Sequence, residues 1–116
     1  MNERDANLLL YIRDEAEILL EMIDGYDFHD FLSDEVMKRA VSMTLINIGE
    51  SVKKLSEGFK REKREIEWRE IADLRNMAAH NYDGLHMGWV FGNVTEDIPK
   101  LLEQVKGILK DEGIEY

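Results

Sequence analysis

The sequence predicts an all-α protein, an antiparallel up-down bundle of four to five helices. Three observations predict it. Apolar residues recur at spacings of three and four along nearly the whole chain, and no run alternates with the period of two that a half-buried strand needs. The 116 residues include a single Pro. The connections between periodic segments are short, which favours antiparallel neighbours. At this length one domain over residues 1–116 is expected, and 44% hydrophobic residues can bury a core without covalent staples.

The first helix is expected over about residues 5–24, where Leu8, Ile12, Ala16, Leu19, Ile23 and Tyr26 share a face, with Gly25 as its stop. Residues 26–32 read as a connector with aromatic anchors. Ser33 is a suitable N-cap for the second helix, with Asp34 and Glu35 placed to meet the positive end of its dipole. That helix carries Met37, Val41, Thr44, Ile48, Val52 and Leu55, and stops near Gly58. A second row, Val36, Ala40 and Met43, is expected to widen its buried face, and the methionines at helical spacing read as core. Gly49 lies inside it at a cost of about 1 kcal/mol relative to Ala, which suggests that another helix packs close to the backbone there.

Residues 59–65 read as a charged connector. A third helix follows from about Ile66 to Ala79, burying Trp68, Ile71, Leu74 and Ala78, with a turn at Asn81–Gly84. The last helical stretch runs from about Met87 to Leu109. Its apolar stripe stays in phase across Pro99, so it is one kinked helix or two collinear ones with Asp97 capping the second. The first two helices have apolar faces wide enough for both a core and a partner surface, and a homodimer is expected.

The chain has no Cys, which excludes disulfides, thiolate metal sites and Cys nucleophiles. It has no apolar run of membrane-spanning length and no signal-peptide pattern at its start, so a cytoplasmic protein is expected. There is no Gly-rich phosphate loop. His29 and His86 are isolated, and no metal or other cofactor is expected. The formal net charge of −10 lacks the basic footprint of most nucleic-acid binders. Residues 53–64 run against that balance, with six Lys and Arg residues and two Glu. They are either a solvated helix end or a local track for an RNA backbone or an acidic partner.

One stretch carries chemistry: Arg75-Asn76-Met77-Ala78-Ala79-His80-Asn81-Tyr82. An Arg can grip a phosphate with two prongs, and a His moves protons near neutral pH. Positions five apart on an ideal helix lie about 140° apart around its axis. Arg75 and His80 therefore converge only if the helix ends near His80 or a second subunit completes the site. Read on residues alone, Arg75 is more often a surface or interhelix salt bridge and His80 more often a helix C-cap. Glu50 and Asn47, a turn apart on the second helix, could face the motif or make an ordinary interhelical contact. Asn76 is placed to shape the motif through hydrogen bonds.

Arg75, His80 and Tyr82 match the R-x4-H-x-Y signature of the HepT-type HEPN proteins. The segments Ile48–Ser56, Ile66–Ala72 and Asp97–Val105 resemble that family's second helix, the run into its motif and its last helix, so the likeness extends in order over nearly the whole chain. The chain carries Asp83-Gly84 where many relatives have an aromatic and Gly. The resemblance implies a dimeric helical bundle acting as a metal-independent endoribonuclease on RNA, the toxin of a toxin–antitoxin pair. It implies Arg75 and His80 as the catalytic pair. It also implies a partner, an MNT-type nucleotidyltransferase that silences the toxin by transferring AMP to Tyr82. The alternative is a non-catalytic helical partner or substrate-binding module of such a transferase, which the acidic balance favours. A dimeric scaffold with a structural motif is a third reading.

Overall fold

A computed structural model describes residues 1–80 and 84–114, with the backbone alone at residues 80 and 84–86. Its described residues form α1 (Glu3–Ile23), α2 (Phe28–Leu32), α3 (Glu35–Lys54), α4 (Glu57–Glu62), α5 (Trp68–His80) and α6 (Gly84–Asp111), with no strand. The four long helices make the expected all-α bundle, and two short ones stand in segments read as connectors.

Each start has a local cause. The Asn2 side chain accepts from the Asp5 N–H at 2.7 Å and caps α1. Gly25, at φ +82°, lets the chain leave α1 in a left-handed turn. Asp27 and Asp30 form a reciprocal capping box around α2. The α3 cap is Asp34, one residue later than expected: its carboxylate accepts from the Met37 N–H at 2.9 Å and the Tyr26 hydroxyl at 2.8 Å. Those contacts hold the Asp34 carboxyl below its usual range, the backbone bond most strongly. Ser33 instead closes α2. Phe31 is fully buried against Phe91, with ring centroids 5.0 Å apart, and this anchoring makes residues 28–32 helical.

The second long helix ends at Lys54 rather than near Gly58. Ser56 then caps α4, and Phe59 packs its ring 6.0 Å from Trp68. Burial of Phe59 therefore folds most of the expected charged connector into a helix. The last stretch is a single helix with Pro99 inside it, and Asp97 begins no second helix.

Neighbours run antiparallel. Asp5 and Glu15 of α1 meet Ser56 and Asn47 respectively, beyond and within α3. Gln104 of α6 reaches back to the Glu65 carbonyl ahead of α5. The core takes Leu9, Ile12, Ala16 and Leu19 from α1, Val41, Leu45, Ile48 and Val52 from α3, Leu74 and Ala78 from α5, and a long row on α6. The second row on α3 behaves otherwise. Val36 is 78% and Met43 58% exposed, so they widen no buried face within this chain, and Met43 is not core. No helix among the described residues is long and apolar enough to cross a membrane.

Candidate active site

The centre of the candidate site is the seam between α3 and α5. At Gly49 a Cβ would stand 2.3 Å from the Cβ of Arg75, closer than real atoms approach. Only Gly lets the helices close here, which is the close packing expected of a mid-helix Gly. It brings the Arg75 stem directly over the α3 backbone, beside Glu50.

Arg75 Nε donates to Glu50 Oε1 at 2.7 Å, and Nη1 donates to Asn76 Oδ1 at 3.2 Å. Its side chain is 29% exposed and that of Glu50 40%. The pair is thus anchored from below and wet above. Glu50 engages the Nε side of the guanidinium and fixes its plane. The remaining N–H groups can serve an anion arriving from solvent, since the fork offers five donors. Asn47 does not join this group: its Nδ2 donates to Glu15 on α1 at 2.8 Å.

His80 is the last residue of α5. Helical backbone up to that point puts positions 75 and 80 about 140° apart around the axis. Tyr82 lies outside the described residues, as do the side chains of His80 and His86. Among the described residues no three His, Asp or Glu side chains gather into a metal-binding group.

Two features escaped the sequence reading. Trp89, early in α6, is 48% exposed, whereas Met87, Val90, Val94 and Ile98 of the same helix are fully buried. Its position off the register of Met87, Val90 and Val94 is the signal that could have found it. Arg69, on the first turn of α5, joins the basic residues of α3 and α4 around one groove. That gathering crosses three elements, so no local count reveals it.

The described residues thus form an all-α bundle that seats Arg75, the first residue of the R-x4-H-x-Y motif, on the crossing of α3 and α5 at Gly49. The family model described as Ribonuclease HepT-like matches residues 12–108. The chain is 38% identical over 104 residues to "Putative RNase TTE0752" of Caldanaerobacter subterraneus subsp. tengcongensis, covering 90% of this chain and 93% of that one. It is 39% identical over 95 residues to the "Probable ribonuclease HepT" of Thermococcus cleftensis, covering 78% and 86%. No solved structure matches it significantly. The chain belongs to the HepT-like family.

Proposed function

We propose that the protein is a metal-independent endoribonuclease acting as a homodimer, the toxin of a toxin–antitoxin pair. The observation that carries this reading is the Arg75 guanidinium, oriented by Glu50 yet open to solvent on its other side. In the proposed reaction an RNA 2′-hydroxyl gives up its proton and its oxygen bonds to the adjacent phosphorus. The bond from phosphorus to the 5′-oxygen breaks, and that oxygen takes a proton. His80 moves these protons, and Arg75 compensates the charge that builds on the phosphorane oxygens.

The dimer is supported by a stripe on α3. Val36, Met43 and Glu50 are spaced by seven and share a face, and the first two are exposed. Tyr11 and Ile18, also seven apart and exposed, lie across the Glu15–Asn47 bridge on α1. An apolar stripe leading to Glu50 would bring the Arg75 residues of two copies toward a common cleft, so that each copy's His80 could serve the other's Arg75.

Silencing is proposed to occur at Tyr82. Its hydroxyl gives up its proton to solvent as the oxygen bonds to the α-phosphorus of ATP, the bond from that phosphorus to pyrophosphate breaks, and the Tyr-bound AMP adds an anion that competes with RNA for Arg75. The net charge of −10 favours a second reading, a binding module that docks the nucleotidyltransferase without cleaving RNA.

Induction of the chain alone in a bacterium, then of His80→Ala, tests the nuclease. Growth arrest with RNA cleavage is expected from the parent and a loss of at least about a hundredfold from the variant, with unchanged helical signal. A folded His80→Ala protein that cleaves as well as the parent rejects the catalytic assignment. Light scattering that shows only monomer at every concentration rejects the shared cleft. Intact-mass measurement with the cognate transferase and ATP should add AMP to the parent and none to Tyr82→Phe.

A further inference from the structure

Five cations, Lys53 of α3, Lys60 and Arg61 of α4, Arg64 of the segment between α4 and α5, and Arg69 of α5, surround one open groove of about 610 Å³. Val52, Ile66 and Trp68 form its floor. The Trp68 indole is tied down by donating to the Lys63 carbonyl at 3.1 Å, so the floor is rigid and the charged ends stand above it. Three carboxylates also line the groove. Glu57 is engaged by Lys60 at 3.2 Å. Glu67 and Glu70 lean on each other, and their hydrogen bond raises the Glu70 carboxyl above its ordinary range. Among the described residues, no ion pair or hydrogen bond occupies the side-chain charges of Lys53, Arg61, Arg64 and Arg69.

The groove continues the seam that holds Arg75. Val52 faces it one turn beyond Gly49 on α3, and Ala72 lines it one turn before Arg75 on α5. Arg69 precedes Arg75 by six residues, about 9 Å along the helix axis. A strand with its scissile phosphate on Arg75 would pass over this groove if it follows the seam.

We infer that the groove is a phosphate subsite that holds the sugar–phosphate backbone of the RNA strand on one side of the scissile bond. This rests on the ribonuclease reading and extends it. Guanidinium and ammonium groups from three helices and the segment between α4 and α5 suit a chain of phosphates and read no base edges, so the subsite fixes register without choosing sequence. It also answers the charge problem. The acidic surface repels RNA at long range, while a local row of unengaged cations releases counterions where the strand lies. An acidic protein segment would match the charge, but it would have no reason to lie in line with Arg75.

The test uses His80→Ala protein, which should hold RNA without cutting it, and a short single-stranded RNA of mixed sequence as probe. Binding is followed by fluorescence anisotropy over a range of salt. Adding R61Q/R64Q/R69Q should weaken binding roughly tenfold or more and reduce the slope of log K against log salt by about 2. A charge-matched triple outside the groove, R39Q/K106Q/K110Q, should bind nearly as the parent does. Circular dichroism checks folding, and K53Q/R69Q replaces the groove triple if that triple unfolds. If both triples weaken binding equally, a diffuse field is at work and the subsite is overturned. If His80→Ala binds RNA and the groove variant binds it just as well, the subsite falls and the nuclease reading stands. If the groove variant keeps RNA but no longer captures the co-expressed nucleotidyltransferase, the groove is a protein-docking surface and the subsite is overturned. If the parent neither binds nor cuts RNA, the nuclease reading itself fails and the subsite with it.

Discussion

Among the carboxylates that join distant parts of this chain, Asp5 and Glu50 do so in opposite ways. Asp5, only 1% exposed, accepts the Ser56 N–H at 3.0 Å through one oxygen and the Ser56 hydroxyl at 2.6 Å through the other. Both oxygens accept from the cap of α4, and the carboxylate is buried away from any ligand. Glu50 uses one oxygen on one nitrogen of Arg75, in a pair open to water. The first contact is closed and serves the fold. The second is half-made, and what is left over, the outer guanidinium face, is what a substrate can use. Burial and saturation separate a structural acid from a positioning one here, although both bridge helices far apart in sequence.

The comparison breaks most severely at the backbone beneath Glu50. Gly49→Val should cost about 3 kcal/mol, because the new side chain meets the Arg75 Cβ and neither helix can yield without moving the other. Thermal melting should show the loss, and activity should fall with it. Gly107, also within a helix but with nothing within 4 Å of an added Cβ, provides the contrast. Gly107→Ala should gain up to about 1 kcal/mol from helix propensity alone. Equal responses at the two positions would show that the seam is not tight.

Asp5→Ala should cost about 2 kcal/mol, since two hydrogen bonds to a charged group are lost and a partly buried N–H is stranded. Urea titration measures this, and activity per folded molecule should stay at the parent level. Glu50→Gln should do the reverse. A pair this exposed contributes about 1 kcal/mol or less to stability, but loosening the Arg75 plane should lower kcat by about tenfold or more. Partial rescue by Glu50→Asp would identify positioning. An equal loss of stability and rate in both the Asp5 and Glu50 variants would erase the distinction.

The smallest effect belongs to the exposed Glu67–Glu70 pair. The Glu67 hydrogen bond and then its charge raise the Glu70 carboxyl, so the folded state takes up a proton there more readily than the unfolded chain. Ionisation of Glu70 therefore costs stability at neutral pH, and that cost disappears as pH falls through the raised value. Glu70→Gln should melt slightly above the parent at neutral pH, with the difference shrinking in acid. A difference that grows in acid would reverse this assignment.

Local periodicity determined much about this protein. The rows on α1, α5 and α6, the stop at Gly25 and the close approach at Gly49 could all be read from spacing, because a helix repeats its apolar face every three or four residues and a mid-helix Gly is costly without a neighbour. The motif residue Arg75 was also legible as a cation on the third long helix. Tertiary structure alone decided that α2 and α4 exist. Each has fewer than two turns and stands because Phe31 or Phe59 is buried against another element. It also decided that Glu50 meets Arg75 while Asn47 turns to Glu15, since the two lie a turn apart and only the packing of α1 and α5 on either side of α3 separates them. Val36 and Met43 are apolar at helical spacing and yet exposed. Periodicity shows which face of a helix is apolar, but what covers that face depends on where the other helices lie.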